Sequence, residues 1–202
     1  NAAQRGTGGV RLAAIQVLPK VDDGSSTTAA LLLSISGGTN QAEADAALAG
    51  LGQVGATETN AMILAALSSS TPAMRAKFIG VPGVRRAENA NRELLKLAAA
   101  TDANVSKAAF RSLAVISRPS DLPELIRLSI ASRDDAVKVQ ADLAVYAVAM
   151  KIEPANERAT PVLTALRSAT TAQAKCSLLR PLGAIVKKNG GSPQAYDTVK
   201  LA

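Results

Sequence analysis

The chain of 202 residues has no histidine and no tryptophan, and its one cysteine is Cys176. Without histidine there can be no Ser-His-Asp or Cys-His catalysis and no His-ligated zinc. One cysteine excludes an internal disulfide and a thiolate metal cluster. The nucleotide-binding motif G-x-x-x-x-G-K-[ST] and the hydrolase nucleophile motif G-x-S-x-G are also missing. We therefore expect no catalytic activity, no cofactor and no metal ligands, and a small-molecule ligand is disfavoured. Catalysis by lysine or carboxylate side chains stays formally open. Cys176 is expected to be a small core residue on a helix.

Aromatic residues are scarce, at 2%, whereas hydrophobic residues make up 48% of the chain. The core must therefore be built from Ala, Leu, Val and Ile, which favours closely packed helices over a β-sandwich rich in Tyr, Phe and Thr. No apolar run approaches the ~18 residues that a transmembrane helix needs. These proportions predict an all-α protein without a membrane span.

A short phrase recurs six times along the chain. It consists of a bulky residue, a small or helix-ending residue, any residue, and then an aliphatic residue or Ala. The first residues of successive copies are 33, 30, 32, 33 and 36 positions apart. The copies are Leu18-Pro19-Lys20-Val21, Leu51-Gly52-Gln53-Val54, Val81-Pro82-Gly83-Val84, Leu113-Ala114-Val115-Ile116, Tyr146-Ala147-Val148-Ala149 and Leu182-Gly183-Ala184-Ile185. A period in the thirties is typical of stacked repeats, in which neighbouring units bury each other's apolar faces.

Each repeat is predicted to be a pair of helices. The first helix carries the phrase near its end, and the second helix carries an aliphatic doublet. The doublets are Leu32 and Leu33, Ile63 and Leu64, Leu94 and Leu95, Leu125 and Ile126, Val162 and Leu163, and, less cleanly, Thr198 and Val199. We expect a right-handed α-solenoid of about six antiparallel helix pairs, with no β-sheet. A flexible segment over residues 1–8 is expected to precede an array over 9–202, with units 9–39, 40–70, 71–102, 103–134, 135–169 and 170–202.

Local signals place some helix ends. Thr71, Thr160 and Ser192 each precede a proline, which predicts a capping hydroxyl followed by the first helical turn. Pro19 and Pro82 are expected to mark early ends of first helices, because proline removes a backbone hydrogen bond. Pro181 is instead expected to be a kink, since the apolar pattern continues beyond it.

Three stretches carry a resemblance to a known family. They are Val10-Arg11-Leu12-Ala13-Ala14 leading to Leu18, Ala46-Ala47-Leu48-Ala49-Gly50-Leu51-Gly52, and Leu178-Leu179-Arg180-Pro181-Leu182-Gly183-Ala184-Ile185. They resemble bacterial HEAT-like (armadillo-like) repeats, whose first helix closes on a Leu-Gly-x-Ile type of motif. The resemblance covers about residues 9–202. It implies the solenoid fold, but such repeats serve as scaffolds, adaptors, chromophore handlers or nucleic-acid binders. By analogy with segments of large exported bacterial proteins it implies an exported or periplasmic location, with the cytoplasm left open.

The net charge of +7 is distributed unevenly. Residues 1–70 carry a net −2, residues 71–134 a net +5 and residues 135–202 a net +4. Because second helices usually line the concave side in this family, the binding face is predicted to contain Arg92, Lys96, Arg127 and Arg167. A basic face of this kind could attract an acidic protein surface or a polyanion.

Three functions stay open at this stage. The leading hypothesis is a non-catalytic protein–protein interaction scaffold that uses the concave face. The second is an accessory domain that positions an adjoining enzyme or haem module, since a chain beginning with Asn is expected to be part of a larger protein. The third is nucleic-acid backbone binding through the basic later repeats, which the scarcity of aromatic residues for base stacking disfavours.

Overall fold

The computed structural model describes residues 2–21, 25–55 and 58–188. Over these ranges the chain forms helices, and no β-strand is present, which confirms the all-α class. The helices are α1 (Ala2–Arg5), α2 (Gly8–Val17), α3 (Ser26–Ser36), α4 (Gln41–Leu51), α5 (Thr59–Ser69), α6 (Pro72–Phe78), α7 (Gly80–Arg85), α8 (Asn91–Ala98), α9 (Ala103–Ile116), α10 (Leu122–Ala131), α11 (Asp135–Ala149), α12 (Thr160–Ser168) and α13 (Ala172–Lys188). Short 3-10 turns follow α2 and precede α8, α10 and α12.

The repeated phrase and the doublets lie on alternating helices. The phrase is at or just after the ends of α2, α4, α7, α9 and α11 and inside α13, and the doublets are in α3, α5, α8, α10 and α12. The sixth doublet, Thr198 and Val199, and the Ser192–Pro193 helix start lie outside the described residues. The alternation of first and second helices expected from the period is therefore present in the part of the chain that the structure describes.

The chain divides into two compact units, Asn1–Glu93 and Leu94–Ala202, and the division falls inside α8. In the first unit, α2 packs against α4, and α4 packs against α7. Helix α3 contacts both α4 and α5. The largest fully buried side chains of this unit are aliphatic: Ile15, Leu32, Leu51, Ile63, Leu67 and Ile79.

The second unit repeats this pattern of contacts. Helix α11 packs against α9 on one side and α13 on the other, while α10 contacts α11, α12 and α13. Its largest fully buried side chains are Leu94, Phe110, Leu113, Leu122, Leu125 and Leu178. In each unit, first helices contact first helices and second helices contact second helices. Burial of each such Leu or Phe stabilises the fold by about 1.5–3 kcal/mol relative to an exposed position.

The phrase residues are buried in most copies but not in all. Leu113 with Ile116 and Leu182 with Ile185 are buried pairs separated by one helical turn. In the fifth copy, Val148 and Ala149 are buried, whereas the bulky first residue, Tyr146, is only half-buried. The buried bulky residue at this point of α11 is Val145, one position before the copy begins. The last residues of the first and third copies, Val21 and Val84, are each 71% exposed.

Helix ends follow the local signals only in part. Thr71 accepts a hydrogen bond from the Met74 backbone nitrogen at 3.5 Å, as expected of a capping residue. Helix α12 begins at Thr160, which therefore lies inside the helix, and its N-cap residue is Ala159 with no side-chain hydrogen bond. The prediction of a Thr160 cap is therefore wrong by one residue, although the helix start is confirmed. Asp134 is a true cap and accepts from the Val137 nitrogen at 2.9 Å.

The three interior prolines behave differently. Helix α2 ends at Val17, just before Pro19, as expected. Pro82 is not a helix end, because α7 continues through it to Arg85, and the interruption comes earlier, between α6 and α7. Pro82 has no N–H to offer the carbonyl four residues before it, which is that of Phe78, where α6 ends. Pro181 lies inside the uninterrupted helix α13.

The N-terminal segment 1–8, expected to be flexible, contains the short helix α1. The Nε atom of Arg11 donates a hydrogen bond to the Ala3 carbonyl oxygen at 3.2 Å. This bond satisfies one of the carbonyl groups that a helix end leaves unpaired.

Candidate functional site

The four basic residues predicted for the binding face are all exposed and all lie on second helices. Arg92 and Lys96 are on α8, Arg127 is on α10 and Arg167 is on α12. Arg92 belongs to the first unit, and the other three belong to the second. Their helix assignment is as expected, while their sharing of one concave face stays a prediction.

Arg127 is engaged by a carboxylate of its own helix. Its Nη2 and Nε atoms donate hydrogen bonds to Glu124 Oε1 at 2.6 Å and Oε2 at 2.7 Å, in a two-pronged contact across one helical turn. The hydrogen bond from Arg127 lowers the pKa of the Glu124 carboxyl group, and the opposite charge adds to the effect. Because both side chains are largely exposed, such a pair contributes only about 0–1 kcal/mol to stability. The guanidinium is therefore paired, but weakly held.

Arg127 also borders a groove in the second unit. A cavity of about 390 Å³ lies where the end of α8 meets the start of α9, and where the end of α10 meets the start of α11. The apolar part of its lining is made of small and aliphatic side chains: Ala98, Ala99, Ala100, Ala103, Ala131, Leu128 and Val137. We call this cavity the interhelix groove.

Polar groups of the interhelix groove are mostly satisfied within the fold. Ser106 Oγ donates to the Ala98 carbonyl oxygen at 2.6 Å, and Ser132 Oγ donates to the Leu128 carbonyl oxygen at 2.9 Å. The Asp134 carboxylate is occupied by its cap on the α11 backbone. Arg133 is exposed and makes no hydrogen bond or ion pair with the residues that the structure describes. The groove thus carries one unpaired guanidinium beside an apolar floor.

Several other basic side chains cap helix ends instead of facing a ligand. In the first unit, Arg85 Nη1 donates to the carbonyl oxygens of Leu51 at 3.0 Å and Val54 at 2.5 Å, and its Nε donates to Asn60 Oδ1 at 2.6 Å. In the second unit, Lys151 Nζ reaches the carbonyl oxygens at the end of α9, at 2.6 and 2.8 Å. Carbonyl groups at a helix C-terminus have no partner in the helix, and cations near them are stabilising.

This capping role was not predicted from the sequence, where these side chains contribute to the positive charge of the later repeats. Arg75 has the same role, since it donates to the Leu67 and Ser70 carbonyl oxygens, each at 2.9 Å. A signal was available, because Arg85 and Lys151 follow the first residue of their phrase by four and five positions. A basic residue at that repeat position is near the end of a first helix. Part of the net positive charge is therefore structural.

A buried carboxylate joins three helices of the second unit. Asp142 of α11 is 7% exposed, and its Oδ1 accepts a hydrogen bond from Ser129 Oγ of α10 at 3.0 Å. Arg180 of α13 lies 3.7 Å from Oδ2, which is an ion-pair distance but too long for a hydrogen bond. Burial raises the pKa of Asp142, and the Ser129 hydrogen bond and the Arg180 charge oppose this shift. Asp142 was not singled out from the sequence, since one Asp in a helix carries no motif.

Cys176 lies on α13, as expected, but it is exposed, so its assignment to the core is wrong. The neighbouring residues Ser177 and Leu178 occupy the buried face of that helix. Among the described residues, no group of three or more Cys, Asp or Glu side chains is arranged to hold a metal ion. The described helices also include none with the length and hydropathy of a membrane span.

Comparison with known proteins adds no assignment: no protein-family model matches this chain, and no curated protein matches it significantly. What the described residues offer chemically is cation-mediated recognition of an anionic group beside an apolar floor. Guanidinium groups suit this because they present a planar fork of donors to a carboxylate.

Proposed function

We propose that this protein is a non-catalytic protein-binding scaffold, built as a right-handed α-solenoid of HEAT-like helix pairs. The observation that carries the proposal is the order of contacts in each unit, where helices of one class lie beside helices of the same class. That order is what stacked helix pairs produce, and stacked pairs present long rows of second helices to a partner.

The proposed binding face is the exposed side of the second helices, with Arg92, Lys96, Arg127 and Arg167. These side chains are exposed, whereas Arg75 and Arg85 are half-buried and cap helix ends. The contrast supports a division of the basic residues into a structural group and a recognition group. A partner with an acidic surface fits the recognition group best.

Duplex nucleic acid is the less favoured partner. Its binding depends on the number of phosphates that cations neutralise, and several cations of the later repeats are committed to carbonyl groups. A titration of binding to a duplex DNA at rising salt separates the two hypotheses. Phosphate contacts make the affinity fall with a slope of about −0.9 per contact on logarithmic axes.

The test uses the full chain and a displayed library of random twelve-residue peptides. We expect peptides to be enriched on the wild type and to lose binding to the variant Arg92→Glu/Lys96→Glu/Arg127→Glu. Circular dichroism must show that the variant keeps its helices, which we expect because exposed charges seldom contribute more than about 1 kcal/mol each. Failure to enrich any peptide, or equal binding to the variant, would contradict the proposed face.

A further inference from the structure

The interhelix groove of the second unit combines three properties. It has a volume of about 390 Å³, an apolar floor of Ala, Leu and Val side chains, and two arginines, Arg127 and Arg133, in its lining. Ligand sites typically have volumes of ~300–1,000 Å³ and carry a few polar groups that orient the ligand. The groove is therefore at the small end of that range and fits a few side chains better than a whole protein surface.

The charge of the lining favours an anionic ligand. Besides the two arginines, the only charged residue in the lining is Asp134. Its carboxylate accepts the Val137 backbone N–H at the start of α11, where the positive end of the helix dipole already balances it. The positive charge of Arg133 has no such partner among the described residues.

The contact between Arg127 and Glu124 shows which chemical group this position accepts. A carboxylate sits on the guanidinium in a two-pronged geometry, with oxygen–nitrogen distances of 2.6 and 2.7 Å. The Glu124 side chain is 42% exposed and is not part of the groove lining. A carboxylate from a partner could therefore accept the same two hydrogen bonds from Arg127 only by displacing Glu124.

We propose that the interhelix groove binds a short acidic peptide segment, with Arg133 and Arg127 receiving its carboxylates and Glu124 acting as an internal competitor for Arg127. Small apolar side chains of the segment pack on Ala103, Ala131 and Val137. This inference rests on the proposed scaffold function, to which it adds the chemistry of the ligand and the place where it binds. A peptide is favoured over a nucleic acid because the described lining contains no aromatic side chain on which a base could stack.

The experiment uses peptides enriched on the wild-type chain from the displayed twelve-residue library, measured by fluorescence anisotropy. We expect the enriched sequences to contain Asp or Glu between small apolar residues. Arg133→Gln should weaken their binding by about tenfold or more, since it removes a hydrogen bond between charged groups. Glu124→Gln should strengthen binding by about two- to fivefold, because the competing exposed ion pair is weak.

Two variants outside the groove serve as controls. Arg111→Gln removes an exposed arginine of the first helix α9, outside the proposed binding face, and Glu157→Gln removes an exposed glutamate, so each changes the net charge as its counterpart does. Neither should change the affinity by more than about twofold, apart from a small effect of net charge that salt screens. All variants should keep the wild-type helical signal, since the substituted side chains are exposed.

The outcomes separate this inference from the scaffold proposal. If acidic peptides bind but Arg133→Gln and Glu124→Gln behave like the controls, the groove assignment is wrong and the scaffold stands. If Arg167→Gln weakens binding as much as Arg133→Gln, recognition extends over the second helices and is not confined to the groove. Enrichment of neutral or basic peptides, or loss of duplex DNA binding in Arg133→Gln, would also overturn it. If no peptide is enriched, both proposals fail.

Discussion

The replacement of Arg85 by methionine tests whether a cation at the end of one first helix stabilises the end of the previous one. Arg85 is the last residue of α7, and its guanidinium donates to the carbonyl oxygens of Leu51 and Val54 and to Asn60 Oδ1. Its partial burial lowers the pKa of the guanidinium, though only from a value far above neutrality. Methionine retains much of the apolar length of the side chain but removes all three hydrogen bonds.

The expected loss follows from the acceptors that remain. Two carbonyl oxygens near the end of α4 and one amide oxygen would lose a charged donor, and a hydrogen bond to a charged group is worth about 1.5–3 kcal/mol net. Water can reach part of this site, because Arg85 is only half-buried, and it will replace some of these bonds. We therefore expect Arg85→Met to lower the free energy of unfolding by about 2–4 kcal/mol. Arg85→Lys should lower the free energy of unfolding by about half as much, since an ammonium group cannot reproduce the planar set of donors of a guanidinium group.

Urea denaturation followed by far-UV circular dichroism measures this change. Arg92→Met is the matched control, because Arg92 is an exposed arginine in the same unit. It should change the free energy of unfolding by less than about 0.5 kcal/mol. The slope of the transition with urea should stay the same in both variants, so that the shift in midpoint reports stability. A loss below about 1 kcal/mol for Arg85→Met, or one equal to that of Arg92→Met, would refute the capping argument.

Three further predictions concern the backbone and the buried carboxylate. Arg86 ends α7 in the left-handed region at φ 51°, which costs a non-glycine residue about 1 kcal/mol. Arg86→Gly should therefore raise the midpoint of unfolding in urea, and a lower midpoint would contradict this. The folded-state pKa of Asp142 is raised, so its ionised form destabilises the fold above that pKa, and this penalty disappears as the pH falls through the folded pKa towards the usual Asp value. Asp142→Asn, which keeps an acceptor for Ser129, should therefore be more stable than the wild type at pH 7 and lose that advantage near pH 4, and unfolding curves across this range check the convergence. A Cβ added at Gly183 in α13 meets nothing within 4 Å, so Gly183→Ala should raise the free energy of unfolding by up to about 1 kcal/mol. At Gly50 a new Cβ would lie 2.9 Å from a proline ring, so Gly50→Ala should lower the melting temperature.

Much of the secondary structure could be predicted because its causes are local. Apolar and small residues recur with helical spacing from Val105 to Ile116, and α9 contains this stretch with Val105, Ala109, Leu113 and Ile116 buried. Thr71 caps the backbone nitrogen of Met74, three residues ahead of it, which needs no information from the rest of the chain. The fixed period also predicted which helices would carry the phrase and which the doublets.

The tertiary structure decided how individual side chains are used. Arg85 bonds to Leu51 across 34 positions, so no local pattern distinguishes it from exposed Arg92. The exposure of Cys176 depends on which face of α13 meets α11, and a difference of one residue separates it from buried Ser177. The interhelix groove likewise forms only where four helix ends meet. The sequence by itself determined the helices and their alternation, because hydrogen bonds within a helix and its apolar periodicity act over a few residues. Which cations cap a helix and which face a ligand depended on contacts between distant residues, and these exist only once the helices are packed.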